Sequence, residues 1–257
     1  MLLAINANNT NTVFALWDGE RLLGAWRIST DGKRTADEYV VWLDHVLGLS
    51  GHSRSKVSAT IVASVVPEAN FNLFKLCQDY CASTPLVVGE AGVELGVKAL
   101  VDRPEEVGAD RLVNTAAVHD RYPGAAIVVD FGTATTFDVV NAEGNYLGGV
   151  IAPGINLSLH ALEAAAAKLP SVPIRRTDKV IGTNTVACMQ SGIFWGYVGL
   201  IEGLVARIKA EFGAPMQVIA TGGLAPLFEN ATPAIGRIDG TLILWGLHLI
   251  HARNLKP

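Results

Sequence analysis

At 257 residues, with 50% hydrophobic and 17% charged side chains, the chain is long enough to bury one large core or two smaller ones and too apolar to be a disordered tail. A formal net charge of −4 gives it no electrostatic hold on nucleic acid or acidic membranes, so neither is expected as a partner. No apolar run approaches the ~18 residues that span a bilayer, and Met1-Leu2-Leu3 has no basic segment before its short strand, so no signal peptide is expected and the chain is read as cytoplasmic.

The chain opens as a strand over Leu2 to Ile5, breaks at Asn6-Ala7-Asn8-Asn9-Thr10-Asn11-Thr12, and resumes as a strand from Val13 to Trp17 before the turn Asp18-Gly19. A third antiparallel strand is expected over Arg21 to Ser29. Thr35 and Glu38 have capping-box spacing and predict a helix through Leu47. A strand over Val57 to Val66, a helix over Asn70 to Tyr80 and a strand over Leu86 to Val88 complete the first half. Cys77 and Cys81 lie one helical turn apart, but no second pair of ligands follows at zinc spacing, so both are read as buried structural thiols; with Cys188 they are too scattered for a disulfide framework. The six histidines form no metal-binding cluster either.

The segment from Val101 to Arg111 is dense in charge for so apolar a chain, and Pro104 and Gly108 end what precedes it. A helix is expected from Ala109 to Tyr122, which puts Asp110 and Arg111 near its N-terminus. The helix dipole favours an ionised acid there, and an arginine can hold a carboxylate or phosphate in a fork. By itself such a pair reads as readily as a cap or a surface feature.

The second half repeats the opening pattern. Ile127 to Val129 are a buried-strand run broken by Asp130-Phe131-Gly132, and Phe137 to Val140 return toward the turn 141–144. The tip between them carries an acid and three hydroxyls, Thr133, Thr135 and Thr136, that can donate to an anion, while Gly132 lets backbone approach a ligand closely. Alone, this is equally a Thr-rich turn. A strand over Tyr146 to Ile151, a helix over 156–169, a basic loop over Pro170 to Lys179 and a long helix over Val186 to Phe212 follow. Gly192, Gly196, Gly199 and Gly203 fall near one-turn spacing in that helix, which suggests close helix pairing within the chain or across a dimer. Met216 to Ala220 is a buried strand, Thr221-Gly222-Gly223 turns into a helix from Leu224 and can lie against an adenine or a ribose, and a last helix covers Leu242 to Arg253. No sequence repeat is visible.

Taken together, Asn8-Asn9-Thr10-Asn11-Thr12, Arg34-Thr35-Ala36-Asp37-Glu38, Gly108-Ala109-Asp110-Arg111, Asp130 to Thr136, Gly148-Gly149, Pro153-Gly154, Thr185 and Thr221-Gly222-Gly223 resemble, in order and spacing, the type III pantothenate kinase family. The resemblance spans essentially the whole chain. It implies an α/β fold of two actin-like (ribonuclease H-like, ASKHA) domains, expected at 1–112 and 113–257, with the nucleotide cleft between them. It further implies a homodimer and ATP-dependent phosphorylation of pantothenate, the first step of coenzyme A synthesis, with Mg²⁺ and a monovalent cation, K⁺ or NH₄⁺. Residue by residue, Asp110 matches the general base, and Gly108, Ala109, Asp110 and Arg111 match the substrate segment. Thr185 matches a substrate contact reached across the dimer. Asn6, Ala7, Asn8, Asn9, Thr10, Asn11, Thr12 and Val13 match the first phosphate loop, Thr133 an ATP contact, and Asp130 the metal position, for the monovalent cation.

The sequence departs from the family pattern at one place: where the first loop usually has Asp followed two residues later by Gly, this chain has Asn6 and Asn8. Asn6 keeps an oxygen without the charge that would hold Mg²⁺, and Asn8 puts a side chain where backbone meets phosphate. Two alternatives therefore stand beside the kinase reading: a non-catalytic accessory or regulatory paralogue that binds nucleotide or pantothenate, and an actin-like kinase for a different small acid.

Overall fold

The structure is a computed structural model that describes residues 1–166 and 169–255. The chain divides into two compact units, Met1–Asp120 together with Thr241–Pro257, and Arg121–Gly240.

In the first unit, β1 (Leu2–Ala7) and β2 (Asn11–Asp18) form the expected hairpin, followed by β3 (Arg21–Ser29) and α1 (Ala36–Leu49). The capping box closes as the sequence predicts: the Glu38 N–H donates to Thr35 Oγ1 at 3.3 Å and the Thr35 N–H donates to Glu38 Oε2 at 2.8 Å. β4 (Ala59–Ser64) and α2 (Pro67–Lys75) come next, with Pro67 in the first helical turn where its missing N–H is not needed. The helix expected to run on to Tyr80 widens instead into a π-turn over Leu76–Tyr80. β5 (Leu86–Val87) and α3 (Ala109–Arg121) complete this stretch, and the boundary expected between 112 and 113 falls inside α3.

The sheet has the order β3-β2-β1-β4-β5, with β1 antiparallel to β2 and parallel to β4. Strand alternation splits β1 between two cores. Leu3, Ile5 and Ala7 pack with α1 and α2, whereas Leu2 and Ala4 pack with Val113 and Ala116 of α3. The terminal helix α6 (Leu242–Arg253), expected with the second half, joins this second core through Leu244, Leu247 and Ile250. Its Gly246 lies so close to α3 that a Cβ there would stand 2.3 Å from the Val113 carbonyl oxygen.

The second unit contains β6 (Ala126–Phe131), β7 (Ala134–Val140), β8 (Tyr146–Pro153), α4 (Ile155–Ala165), α5 (Thr185–Phe212), β9 (Gln217–Thr221) and β10 (Arg237–Ile238). The helix expected over 156–169 ends at Ala165, and its positions 167 and 168 lie outside the described residues. No helix of any length starts at Leu224: a single 3₁₀ turn, Ala225–Phe228, with Pro226 inside it, precedes Asn230 at φ 56°. β10 was not expected. The sheet order is β10-β9-β6-β7-β8; taken from the other edge, this is the order of the first sheet. β6 is antiparallel to β7 and parallel to β9, as β1 is to β2 and β4. The repeat is thus one of topology, carried by two sequences with no visible likeness.

Candidate active site

In both units the functional residues predicted from sequence, Thr185 excepted, lie near the C-terminal end of the parallel strands, where open α/β sheets bind ligands. Asn6 is not in a loop but in β1, opposite Val13 and Ala63, on the face shared by Leu2, Ala4 and α3. Only Asn8 to Thr10 form the turn. It is closed by an Asn8 N–H bond to the Asn11 carbonyl at 3.1 Å and held by Thr30, whose N–H donates to the Thr10 carbonyl at 3.0 Å and whose hydroxyl donates to the Asn8 carbonyl at 2.6 Å. Since that hydroxyl has one proton, Thr12 is the donor in the 2.9 Å Thr12–Thr30 contact. Thr12 therefore serves the loop itself, and Asn9, Thr10 and Asn11 are its exposed side chains. Asn8 does not take a positive φ, so the turn makes no demand for glycine at that position.

Asp110 stands in the first turn of α3, and its Oδ1 accepts the Arg111 N–H at 2.9 Å. The adjoining Gly108 leaves the Asp110 carboxyl room in this position: a Cβ at 108 would lie 2.6 Å from Asp110 Oδ1, so a side chain there would make the carboxyl turn aside. On its other side the same position faces Val65, whose N–H donates to the Ala7 carbonyl at 3.0 Å. The substrate segment and the end of β1 thus lean on one residue. Burial pushes the Asp110 carboxyl above the ordinary carboxylate range, opposed by the Arg111 N–H and by the Arg111 charge. Sequence reasoning weighed the helix dipole alone and missed the desolvation, which only the packed structure supplies.

The central hairpin places its residues differently. Gly132 and Thr133 form the exposed tip, but Thr135 and Thr136 belong to β7. The buried Thr135 hydroxyl is bonded to Tyr197, which also donates to the Pro153 carbonyl at 3.0 Å, and the Thr136 hydroxyl donates to Asp138 at 3.0 Å. Of the three hydroxyls expected to face an anion, Thr133 alone sits in the turn. Two glycines press on this hairpin. Gly154, just before α4, donates to the Thr133 carbonyl at 3.1 Å, where a Cβ would stand 2.3 Å away. Gly222, at φ +91°, leaves 2.5 Å between a would-be Cβ and Asp130 Oδ1. Asp130 itself is paired across the sheet with Thr136 and Thr221.

Gly223 opens onto a cleft of about 600 Å³ within the second unit, lined by Asn156 and His160 of α4, Val172 and Ile174, and Leu224 and Leu227. Its walls mix apolar side chains with the polar Asn156, His160, Glu163 and Ser171, a lining that can take a small molecule with both flat apolar and hydrogen-bonding parts. Thr185 is exposed at the start of α5, where Asn184 caps the helix by accepting the Ala187 N–H at 2.9 Å. Farther along α5, Gly192, Gly196 and Gly199 face open space in the chain as described.

The chain has counterparts among known proteins. The family model for type III pantothenate kinase matches residues 2–207. A protein of Paramagnetospirillum magneticum named type III pantothenate kinase is 63% identical over 257 residues, covering 100% of this chain and 99% of its own. Among solved structures, one from Campylobacter jejuni, named as a Baf family transcriptional activator, superposes with a TM-score of 0.61 at 19% identity, covering 98% of each chain. A Sinorhizobium meliloti protein named as a 2-dehydro-3-deoxygalactonokinase superposes at 0.58 with 11% identity, covering 100% of this chain and 98% of that one. At such identities the superpositions speak for the fold alone, that of the actin-like kinases.

Proposed function

Because the chain belongs to the type III pantothenate kinase family, we propose to read its geometry as that of an enzyme that phosphorylates pantothenate with ATP, the first step of coenzyme A synthesis, and to assign its residues accordingly. Asp110 is the general base that takes the proton from the primary hydroxyl of pantothenate. Phosphoryl transfer needs positioning and charge neutralisation more than covalent help, and a carboxylate whose proton affinity is raised by burial is a better acceptor for that proton than an exposed one. Gly108, Ala109 and Arg111 shape the substrate segment, with Arg111 placed to offset the negative charge of pantothenate. The observation that carries this reading is the buried Asp110 carboxyl in the first turn of α3, raised in pKa by that burial, with its Oδ1 accepting the Arg111 N–H at 2.9 Å.

The nucleotide reading draws on the same end of each sheet. Residues Asn6 to Val13, the end of β1, the turn over 8–10 and the start of β2, are assigned to the first phosphate-binding segment, Thr133 is a second phosphate contact, and the base and ribose take the cleft bordered by Gly223. Asp130 is assigned the monovalent cation, K⁺ or NH₄⁺. For Mg²⁺, the buried Asn6 Oδ1, which has no hydrogen-bond donor, would hold the ion by accepting from a water of its shell. When bound with ATP, Mg²⁺ supplies the positive charge that offsets the phosphates.

Thr185 is assigned to substrate binding across a homodimer, and the enzyme to the cytoplasm. Support for dimerisation comes from the exposed glycine face of α5 and from the exposed Ile151 and Val186; an obligate interface would bury about 2,000 Å² or more. Equilibrium sedimentation is expected to give a dimer at micromolar concentration, and an active monomer would remove the assignment of Thr185. The activity itself is tested by a coupled assay with ATP, Mg²⁺ and K⁺ against a panel of hydroxy acids. Turnover is expected with pantothenate, and its absence with every acid would overturn the reading.

A further inference from the structure

The end of β1 and the turn after it hold two acceptors that accept nothing. Asn6 Oδ1 and Asn8 Oδ1 are both shut off from solvent without a hydrogen-bond donor, and Asn6 as a whole is 2% exposed. An unsatisfied buried acceptor costs about 1–3 kcal/mol, so two of them within three residues call for a bound species that supplies donors. Chemistry narrows what it is. An amide oxygen cannot pair with a phosphate oxygen, because both are acceptors. Its complements are the protons of a hydroxyl, an ammonium or a water polarised by a cation, and the phosphate end of a nucleotide brings the last of these as the shell of its Mg²⁺, which dehydrates reluctantly. Two neutral amides, moreover, exert little pull on a free cation. Among the described residues no three Asp, Glu, His or Cys side chains come together as a metal site.

We propose that Asn6 and Asn8 form a neutral acceptor pair that reads the hydration shell of the metal–nucleotide complex, so that the divalent ion enters this loop only with the nucleotide and never ahead of it. The proposal rests on the assignment of Asn6 to Val13 as a phosphate loop. It makes both asparagines positioning residues, acting on the metal through its waters.

The test measures binding rather than turnover, using the full-length chain and the non-hydrolysable analogue AMP-PNP. Calorimetry with Mg²⁺ and with chelator is run on the unaltered protein, Asn6→Asp and Asn8→Asp, and Mn²⁺ alone is titrated into each and followed by its EPR signal. The unaltered protein is expected to bind AMP-PNP more tightly with Mg²⁺ than without. Each Asp variant should bind metal-free AMP-PNP more weakly, through charge repulsion, and Mn²⁺ alone about 10-fold more tightly than the unaltered protein does. A purely structural role would move metal-free and metal-loaded binding by the same factor, and that result overturns the proposal, as does equal Mn²⁺ affinity in all three proteins. If a buried charge prevents Asn6→Asp from folding, Asn8→Asp carries the comparison, and equal affinity of the unaltered protein for AMP-PNP with and without Mg²⁺ overturns the proposal unaided. A folded protein that binds no AMP-PNP under either condition defeats the phosphate-loop assignment instead, a result distinct from binding without a metal split.

Discussion

The β1–β2 and β6–β7 hairpins have the same place in the same sheet order, yet their ends are built from different chemistry. The first ends in neutral side chains: Asn6 and Asn8 with unmet acceptors, and a turn held from outside by Thr30. The second ends in an acid, Asp130, and a tip that Gly154 and Gly222 approach to within the radius of a methyl group. One hairpin is pinned by a side chain and leaves two buried acceptors without a donor, whereas the other is packed by bare backbone and has its buried hydroxyl tied to Tyr197. Duplicated topology thus fixed where each hairpin lies and left the composition of each end free to diverge. The base sits on neither. Asp110 comes from α3, beside the first hairpin, and is supported by a glycine, as the second hairpin is.

The largest expected effect tests that last assignment. Asp110→Asn should lower kcat by about 10²- to 10⁴-fold, the usual loss for a general base, while leaving AMP-PNP binding unchanged. The pH profile adds a second reading. A base works ionised, and burial raises the Asp110 pKa, so the acid limb of the rate profile should lie above the ordinary Asp range near ~3.9 and vanish in the Asn variant. Wild-type turnover in Asp110→Asn would move the role to Asp130 and so to the second hairpin.

The next effect separates the two ends by packing. Gly222→Ala places a methyl group against Asp130 and Phe131 at a φ that side chains avoid, and is expected to cost about 1–3 kcal/mol in thermal unfolding. Asn8→Ala removes a buried acceptor that has no donor and no special φ, so the ligand-free protein should lose no stability and should gain up to about 1–3 kcal/mol in unfolding. Equal losses would erase the distinction between a backbone-packed hairpin and an open one. Smaller still are Tyr197→Phe and Thr30→Val, each removing a single hydroxyl that ties one hairpin to its surroundings. About 1 kcal/mol is expected from each, and a Thr30→Val effect on AMP-PNP affinity, measured by calorimetry, would show that the clamp sets the loop for its ligand.

Much of the fold follows from local pattern. The capping box from Thr35 to Glu38, the limits of α6 and nearly those of α5, and the strand pairs around Asn6 to Thr12 and Asp130 to Phe137 were readable because the signals involve residues within a turn or a strand of one another. The segment from Gly108 to Arg111 was readable too, as a charged break before a helix. Where the sequence reading ran short, the deciding partner lay far away in the chain. Thr135 and Thr136 looked like turn hydroxyls until β7 paired with β6 from Thr135 onward and Tyr197 arrived from α5 to claim one of them. The segment after Leu224 kept apolar residues at helical spacing, but Pro226 and the left-handed Asn230 limit it to one 3₁₀ turn.

By itself, then, the sequence determined most of the elements, the family and the residue types of the site, since periodicity, caps and turn residues act over a few positions. Tertiary structure decided that α6 returns to the first unit, that two unlike halves share one strand order, that Asp110 is desolvated and that the Asn6 and Asn8 oxygens are left waiting for a donor. Each of these depends on what is packed against a residue, and burial and hydrogen-bond satisfaction exist only once distant segments have met.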